Sequence, residues 1–426
     1  MAWAAAAGAL PSFDSGAGVT FNAEDNALIG YASNPAKLAY FESSAVWLDV
    51  GGDWSWGDIS YRENGGRSTP GQPPEPGESA AEVTINLAAG MAGRGVFRSG
   101  PTLLAVGAGL DWTQLSGGLS GISFPEIAYW EAEHFTVSVP AEYVEGVFAY
   151  DLGGWAWGVS GKYTRSEASV DYKWFETGWY YTTQTQFQEL SLSNFEVRGG
   201  GMYRSERTRA HAFLGGQRLS NMLDVVSGGT YGWDTEHDAY EASGVRLLTG
   251  GGYAVKLWPE LGVGANVEAV VAPRVALNDA DVDYQVGEGF EYDVGLLPGL
   301  ALYPDDRTTL AFDYNVRFRR LSYDDLDNVG RISDEYDLNE VLTSSQVGLE
   351  RWLTETVSFK VGWRQNAFAY PRNTMFAGAY YRPNERWSFG YDYAEGVVNL
   401  SEPSAFMTLR EVVRPGSHRL TLIYSF

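Results

Sequence analysis

HRLTLIYSF, residues 418–426, alternates along its length. Leu420, Leu422, Tyr424 and Phe426 fall on one side of an extended chain. Arg419, Thr421 and Ser425 fall on the other, with Ile423 the one apolar residue among them. Period-two alternation marks a strand whose two faces meet different surroundings. A strand of this kind left with an open edge is an aggregation hazard. Pairing of this segment with the first strand, closing the sheet into a barrel, is therefore the expectation.

The same alternation recurs from about residue 44 onward. In AVWLDVGGDWSW, Val46, Leu48, Val50, Trp54 and Trp56 oppose Asp49, Gly51, Asp53 and Ser55. WAWGVSGKYT sets Trp155, Trp157, Val159 and Tyr163 against Gly158, Ser160, Lys162 and Thr164. TLAFDYNVRFRR sets Leu310, Phe312, Tyr314, Val316 and Phe318 against Asp313, Asn315, Arg317 and Arg319. VSFKVGWRQ and RWSFGYDYAE repeat the pattern. Aromatics are 14% of the 426 residues, more than a soluble core requires, and Trp258, Tyr303, Trp352 and Trp387 stand beside turns, where an interfacial girdle would place them.

Bulk composition narrows the class. Mean hydropathy of −0.23 excludes a helical membrane protein, yet leaves a transmembrane barrel open because alternating strands average out. A net charge of −24 argues against nucleic acid as a partner. There is no Cys, hence no disulfide framework and no thiolate metal site. MAWAAAAGALPSFDSG has the small residues of a signal-peptide end without a basic start, and reads as a mature chain.

The connections are asymmetric. Tight turns fall at 151–154, 205–208, 258–261, 303–306, 353–356 and 382–385. Long polar stretches at 62–79, 228–241, 277–284, 323–340 and 399–406 read as loops. Short turns at one end and long loops at the other is the outer-membrane pattern. The spacing predicts an all-β fold: a transmembrane antiparallel β-barrel of 14–16 strands, the range reflecting a poorly delimited stretch at 81–130. Residues 45–426 form the barrel, and residues 1–44, which lack clean alternation, form a separate N-terminal segment.

That segment is Gly-rich, carries Glu24-Asp25, and reaches Asn34-Pro35-Ala36 just before the first strand. Over about residues 16–50 it resembles the FadL family, outer-membrane transporters of long-chain fatty acids and other hydrophobic compounds. The resemblance implies a hatch folded inside the barrel with the Asn34, Pro35, Ala36 motif within it, a family norm of 14 strands, and a lateral exit at a kink in the wall. It also implies passive uptake of hydrophobic small molecules across the bacterial outer membrane, gated by the hatch. The spelling NPAKLAY is close to the PorV branch of the same superfamily, whose members are accessory barrels of a protein secretion machine; a docking role with secretion machinery is the alternative. A plug has a physical reason, since so wide a barrel cannot be filled by its own side chains.

A ligand carboxylate would want an inward cation over apolar surface. Candidates by alternation are Lys162, Lys256, Arg317, Arg319, Lys360 and Arg364. Candidate wall kinks are Gly107, Gly109 and Pro140, since Pro removes a ladder donor. Catalytic patterns are weak: there is no GxSxG elbow, and of the four His (His134, His211, His237, His418), His237 sits in a solvated acidic run, DTEHD. Asp279, Asp281 and Asp283 lack the Gly and distal Glu of a calcium-binding EF-hand loop. The expectation is no enzyme, no cofactor and no metal, with hydrophobic small molecules and outer-membrane lipid, including lipopolysaccharide, as partners.

Overall fold

The computed structural model describes residues 34–63, 78–117, 129–177, 181–229, 235–279, 284–326, 332–367, 372–403 and 407–426. A 3-10 helix, Pro35–Tyr40, precedes sixteen strands. The first eight are β1 (Ala45–Glu63), β2 (Glu78–Ser99), β3 (Thr102–Gly117), β4 (Tyr129–Asp151), β5 (Trp155–Thr177), β6 (Tyr181–Arg204), β7 (Thr208–Gly229) and β8 (Thr235–Trp258). The rest are β9 (Leu261–Asp279), β10 (Tyr284–Asp305), β11 (Thr308–Leu326), β12 (Ile332–Trp352), β13 (Val357–Ala367), β14 (Arg372–Tyr381), β15 (Trp387–Pro403) and β16 (Met407–Ser425). Each pairs antiparallel with its sequence neighbours, and β1 pairs with β16, so the sheet is a closed barrel.

Closure occurs where HRLTLIYSF demands it. Val46 lies opposite Tyr424, Leu48 opposite Leu422 and Val50 opposite Leu420, apolar against apolar along the seam. Phe426 N–H donates to the Ser44 carbonyl at 2.9 Å, so the last residue is held as well. No strand edge is left along this seam.

The alternation sorts the two faces as lipid outside and a polar lumen inside require. On β11, Phe312 is 44% exposed and Asp313 only 2%. Val46, Trp157, Phe359 and Phe389 are likewise exposed on the outer face, while Asp49, Ser358 and Asp392 are buried inside. A continuous belt of exposed Val, Leu, Phe and Trp around a cylinder is a surface suited to hydrocarbon.

Every even strand joins the next odd one through a connection of two to five residues, and these turns lie together at one rim. Gly100 (φ 60°) and Gly153 (φ 89°) take left-handed conformations there, in the β2–β3 and β4–β5 turns. The opposite rim differs from the sequence reading. Most of 228–241, 323–340 and 399–406 is strand, since β8 begins at Thr235, β11 runs to Leu326, β12 begins at Ile332 and β15 runs to Pro403, and β9 and β10 reach into 277–284 from either side. Beyond the lipid both faces of the wall are wet, so alternation fades while the backbone ladder continues. Strands of 22–24 residues from β4 to β8 far exceed the roughly 9–11 needed to cross, so the wall projects outward there. β13 and β14, with 11 and 10 residues, leave the rim low on the far side.

Candidate functional site: lumen seat and wall groove

The segment Asn34–Phe41 is seated on the inner wall near the short-turn rim. Asn34 caps the 3-10 helix by accepting from the Ala36 N–H at 3.0 Å. Its amide donates to the carbonyls of Gly201 and Ala212, both at 3.2 Å, on β6 and β7. Pro35 follows at the first helical position, where a missing N–H is tolerated. The wall makes room by omitting side chains. A Cβ at Gly158 would come within 2.6 Å of the Pro35 carbonyl carbon, and one at Gly200 within 2.1 Å of Asn34 Oδ1. Ala36, Leu38 and Ala39 are fully buried in a cluster with Val96, Leu103 and Ala149.

The exit from this seat is fastened too. Arg98 donates to the Phe41 carbonyl at 2.6 Å and pairs with Asp151 at 2.9 Å; Phe41 stacks on Trp47 at 5.6 Å. The Asn34, Pro35, Ala36 motif was visible in the sequence; its glycine receptors on β5 and β6 were not. Residues 1–33 lie outside the described residues.

The six candidate cations are spread around the wall rather than gathered. Arg317 reaches Glu268 at 3.3 Å and Asp293 at 3.5 Å, and Arg319 shares Asp293 at 3.3 Å. Lys360 pairs with Glu350 at 3.4 Å and lies over the Tyr380 ring. Arg364 donates to Gln346 at 2.8 Å. Lys162 and Lys256 sit over the rings of Tyr143 and Tyr303, at 4.5 and 4.8 Å. The inner wall thus neutralises most of its own charge, as burial of ions requires.

A stronger constellation, unforeseen from sequence, spans the seam. Asp49 accepts from Arg419 at 2.9 Å, from Thr421 at 2.7 Å and from Arg94 at 3.5 Å; Arg94 also pairs with Glu145 at 2.9 Å. β1, β2, β4 and β16 are tied together by this one group of buried charges. Only cross-strand register, which alternation leaves open, brings these residues together.

Of the wall candidates, Gly107 and Gly109 keep an unbroken register on both sides. They receive side chains: a Cβ at Gly109 would meet the Tyr143 ring at 2.3 Å, and one at Gly107 would meet Glu145 Oε1 at 2.6 Å. At Pro140 the β4–β5 ladder is interrupted. Ser138 faces Ser169 and Ala141 faces Ser166, but Val139 and Pro140 have no partners on β5. Ser166 Oγ instead donates to the Pro140 carbonyl at 3.1 Å. Beside the break lies a groove of about 640 Å³, lined by Val50, Met91, Leu110, Trp112, Pro140 and Arg165 among others. Its apolar lining belongs to the lipid-facing side.

Among the described residues no group of three or more His, Asp or Glu is placed to hold a metal ion. The side chains of His134, His237 and Asp279, and the whole of Asp281 and Asp283, lie outside the described set. His418 lies on the outer wall beside Tyr391 and Tyr393, at ring distances of 5.8 and 5.2 Å.

No protein-family model and no curated protein matches the chain. Solved structures do. The Pseudomonas putida toluene transporter TodX superposes with TM-score 0.52 over 92% of this chain and 93% of that one, at 10% identity. A deletion mutant of TodX, described as a monoaromatic hydrocarbon channel, gives TM-score 0.50 over 93% and 94%, at 12% identity. A Pseudomonas aeruginosa FadL homologue is less alike, with TM-score 0.45 at 12% identity over 92% and 93%. For TodX, the nearly full mutual coverage leaves no large part of either barrel without a counterpart. The chain has the barrel fold of the TodX transporter.

Proposed function

We propose that this protein is a channel of the bacterial outer membrane that takes up hydrophobic small molecules passively. Cargo partitions from the outer leaflet into the groove beside Pro140, passes the interrupted β4–β5 ladder, and reaches a lumen closed toward the short-turn rim by the Asn34–Phe41 segment. The observation that carries this reading is the coincidence of an apolar groove with the Pro140 break in an otherwise hydrogen-bonded stretch of wall. A hydrophobic solute gains about 25 cal/mol for each Å² of apolar surface it buries there, and needs no energy source. Likeness of fold to a barrel described as a toluene transporter supports the same reading. Long-chain fatty acids are the second cargo class; a carboxylate passing the break meets Lys162, four residues below Ser166 on the inner face of β5.

The test is uptake of radiolabelled toluene and oleate by cells whose own channels are deleted and which express the protein. The account predicts uptake of at least one, and its reduction by Pro140→Val, which restores the missing ladder donor. Uptake equal to that of cells carrying an empty vector refutes the channel reading.

A further inference from the structure

Charge on the outer wall of a barrel is costly at the bilayer midplane and nearly free at the interface. The outer wall carries exposed arginines on four alternate strands: Arg165 on β5, Arg218 on β7, Arg274 on β9 and Arg320 on β11. Their outward aspect follows from alternation and register, and for Arg274 from a bulge: Glu291 faces inward Ala272 and Gly289 faces Val275, which leaves Arg274 opposite exposed Phe290. Arg165 is two residues past exposed Tyr163, and Arg320 two past exposed Phe318. Arg218 sits in register between Phe195 on β6 and Val245 on β8, both exposed.

Their heights agree. Arg165 and Arg218 are ten residues beyond the first residue of their strands, Arg320 twelve and Arg274 thirteen. At about 3.4 Å per residue and a tilt near 40°, that is a climb of about 26–34 Å from the short-turn rim, the top of an apolar band about 25 Å tall. Neighbouring arginines stand two strands, about 9.5 Å, apart across the sheet. Below them the outer face is apolar at Trp157, Leu214, Val267 and Phe312.

Three of the four share an exposed carboxylate: Arg165 with Glu167, Arg274 with Glu288 at 2.9 Å, and Arg320 with Asp337 at 3.0 Å. Such surface pairs are weak and exchangeable. Arg218 has no carboxylate within ion-pair distance among the described residues, and apolar neighbours flank it. Its aliphatic stem can lie on those neighbours with the guanidinium turned up to the headgroups. A guanidinium fork matches phosphate oxygens.

We propose that this collar, with Arg218 as its principal contact, binds the phosphate groups of outer-leaflet lipid. The proposal rests on the membrane reading above. A chain of net charge −24 is repelled by a phosphorylated leaflet, and cations set at headgroup height are what offset that repulsion. The shared carboxylates hold three guanidinium groups at that level until lipid phosphate takes their place.

The test is equilibrium binding of diphosphorylated lipid A, and of the same lipid dephosphorylated, to the full chain in detergent with EDTA present. The phosphorylated form should bind tighter. Arg218→Gln should weaken it about fivefold, the worth of one cation near an anionic surface, and the quadruple Gln variant of the collar more than tenfold. A quadruple Gln variant at the short-turn rim (Arg207, Arg351, Arg382, Arg386), with the same change in charge, should bind like the parent. Equal affinity for the two lipids overturns the proposal. So does equal loss in the rim variant, or competition by millimolar inorganic phosphate alone, which would make the ligand a free anion. Should the collar quadruple fail to fold, Arg218→Gln alone decides. Failure of the membrane reading would appear separately, as absence of the protein from the outer-membrane fraction.

Discussion

Asn34→Ala unfastens the lumen segment with the least disturbance to the barrel. The substitution removes the cap accepted from Ala36 N–H and the two donations to Gly201 and Ala212. A lost cap costs about 1 kcal/mol and each of the other bonds about 0.5–1.5 kcal/mol net. The seat is therefore weakened by about 2–4 kcal/mol, raising the open population about 30- to 700-fold. The strand-to-strand ladder closes without these bonds, so thermal unfolding of the barrel should move little. Hydrogen exchange reads the seat directly, because the amides of Ala36, Lys37 and Phe41 are all bonded within it. They should lose protection by one to three orders of magnitude, and swelling of proteoliposomes in small sugars should speed up. Gly158→Val attacks the same seat from the wall, since its side chain would meet Pro35, and should give the same pair of results. Parental protection at these three amides in both variants would refute the argument that Asn34 and the facing glycines hold the segment.

Asp49→Asn leaves Arg94 and Arg419 without their shared acid across the seam, and should destabilise the barrel by about 3–5 kcal/mol, read as a lower temperature for loss of the compact band on electrophoresis. Gly109→Ala forces the Tyr143 ring aside at a cost of about 1–3 kcal/mol, and Tyr143→Ala in the same chain should recover most of it. Lys162→Gln should slow oleate uptake severalfold while leaving toluene uptake unchanged; equal effects on the two would remove Lys162 from carboxylate recognition.

The parts that could be read in advance are those where one face meets lipid. β1, β5, β11, β13 and β15 declare themselves by alternation, and the seam follows from the partnering of AVWLDV with HRLTLIYSF. Pro140 stands out in the sequence because a missing N–H is a property of the residue alone, and the structure leaves it without a pair on β5. The β2–β3 turn, Ser99-Gly100-Pro101-Thr102, lies inside the poorly delimited stretch 81–130, which is why the sequence leaves the strand number a range. The outer ends of β8, β11 and β12 read as loops because wetting on both sides erases the pattern but not the hydrogen bonds. The acids that face the inward cations, such as Asp293 and Glu350, lie on other strands, and pairing them requires a register that no single segment contains. Gly158, Gly200 and Gly109 matter for what they leave empty, and an absent side chain makes no pattern.

Because the chain contains no Cys, single spin-labelled Cys can be placed anywhere without background. Scanning Leu310 to Phe318 of β11 in reconstituted bilayers, with oxygen as the lipid-soluble relaxant and a nickel chelate as the aqueous one, tests the central claim most directly. Oxygen contact should peak at 310, 312, 314 and 318 and fall at 311, 313 and 317, with a period of two. Nickel contact at the even positions, or oxygen contact that does not alternate, would contradict a wall with lipid on one side and a closed lumen on the other.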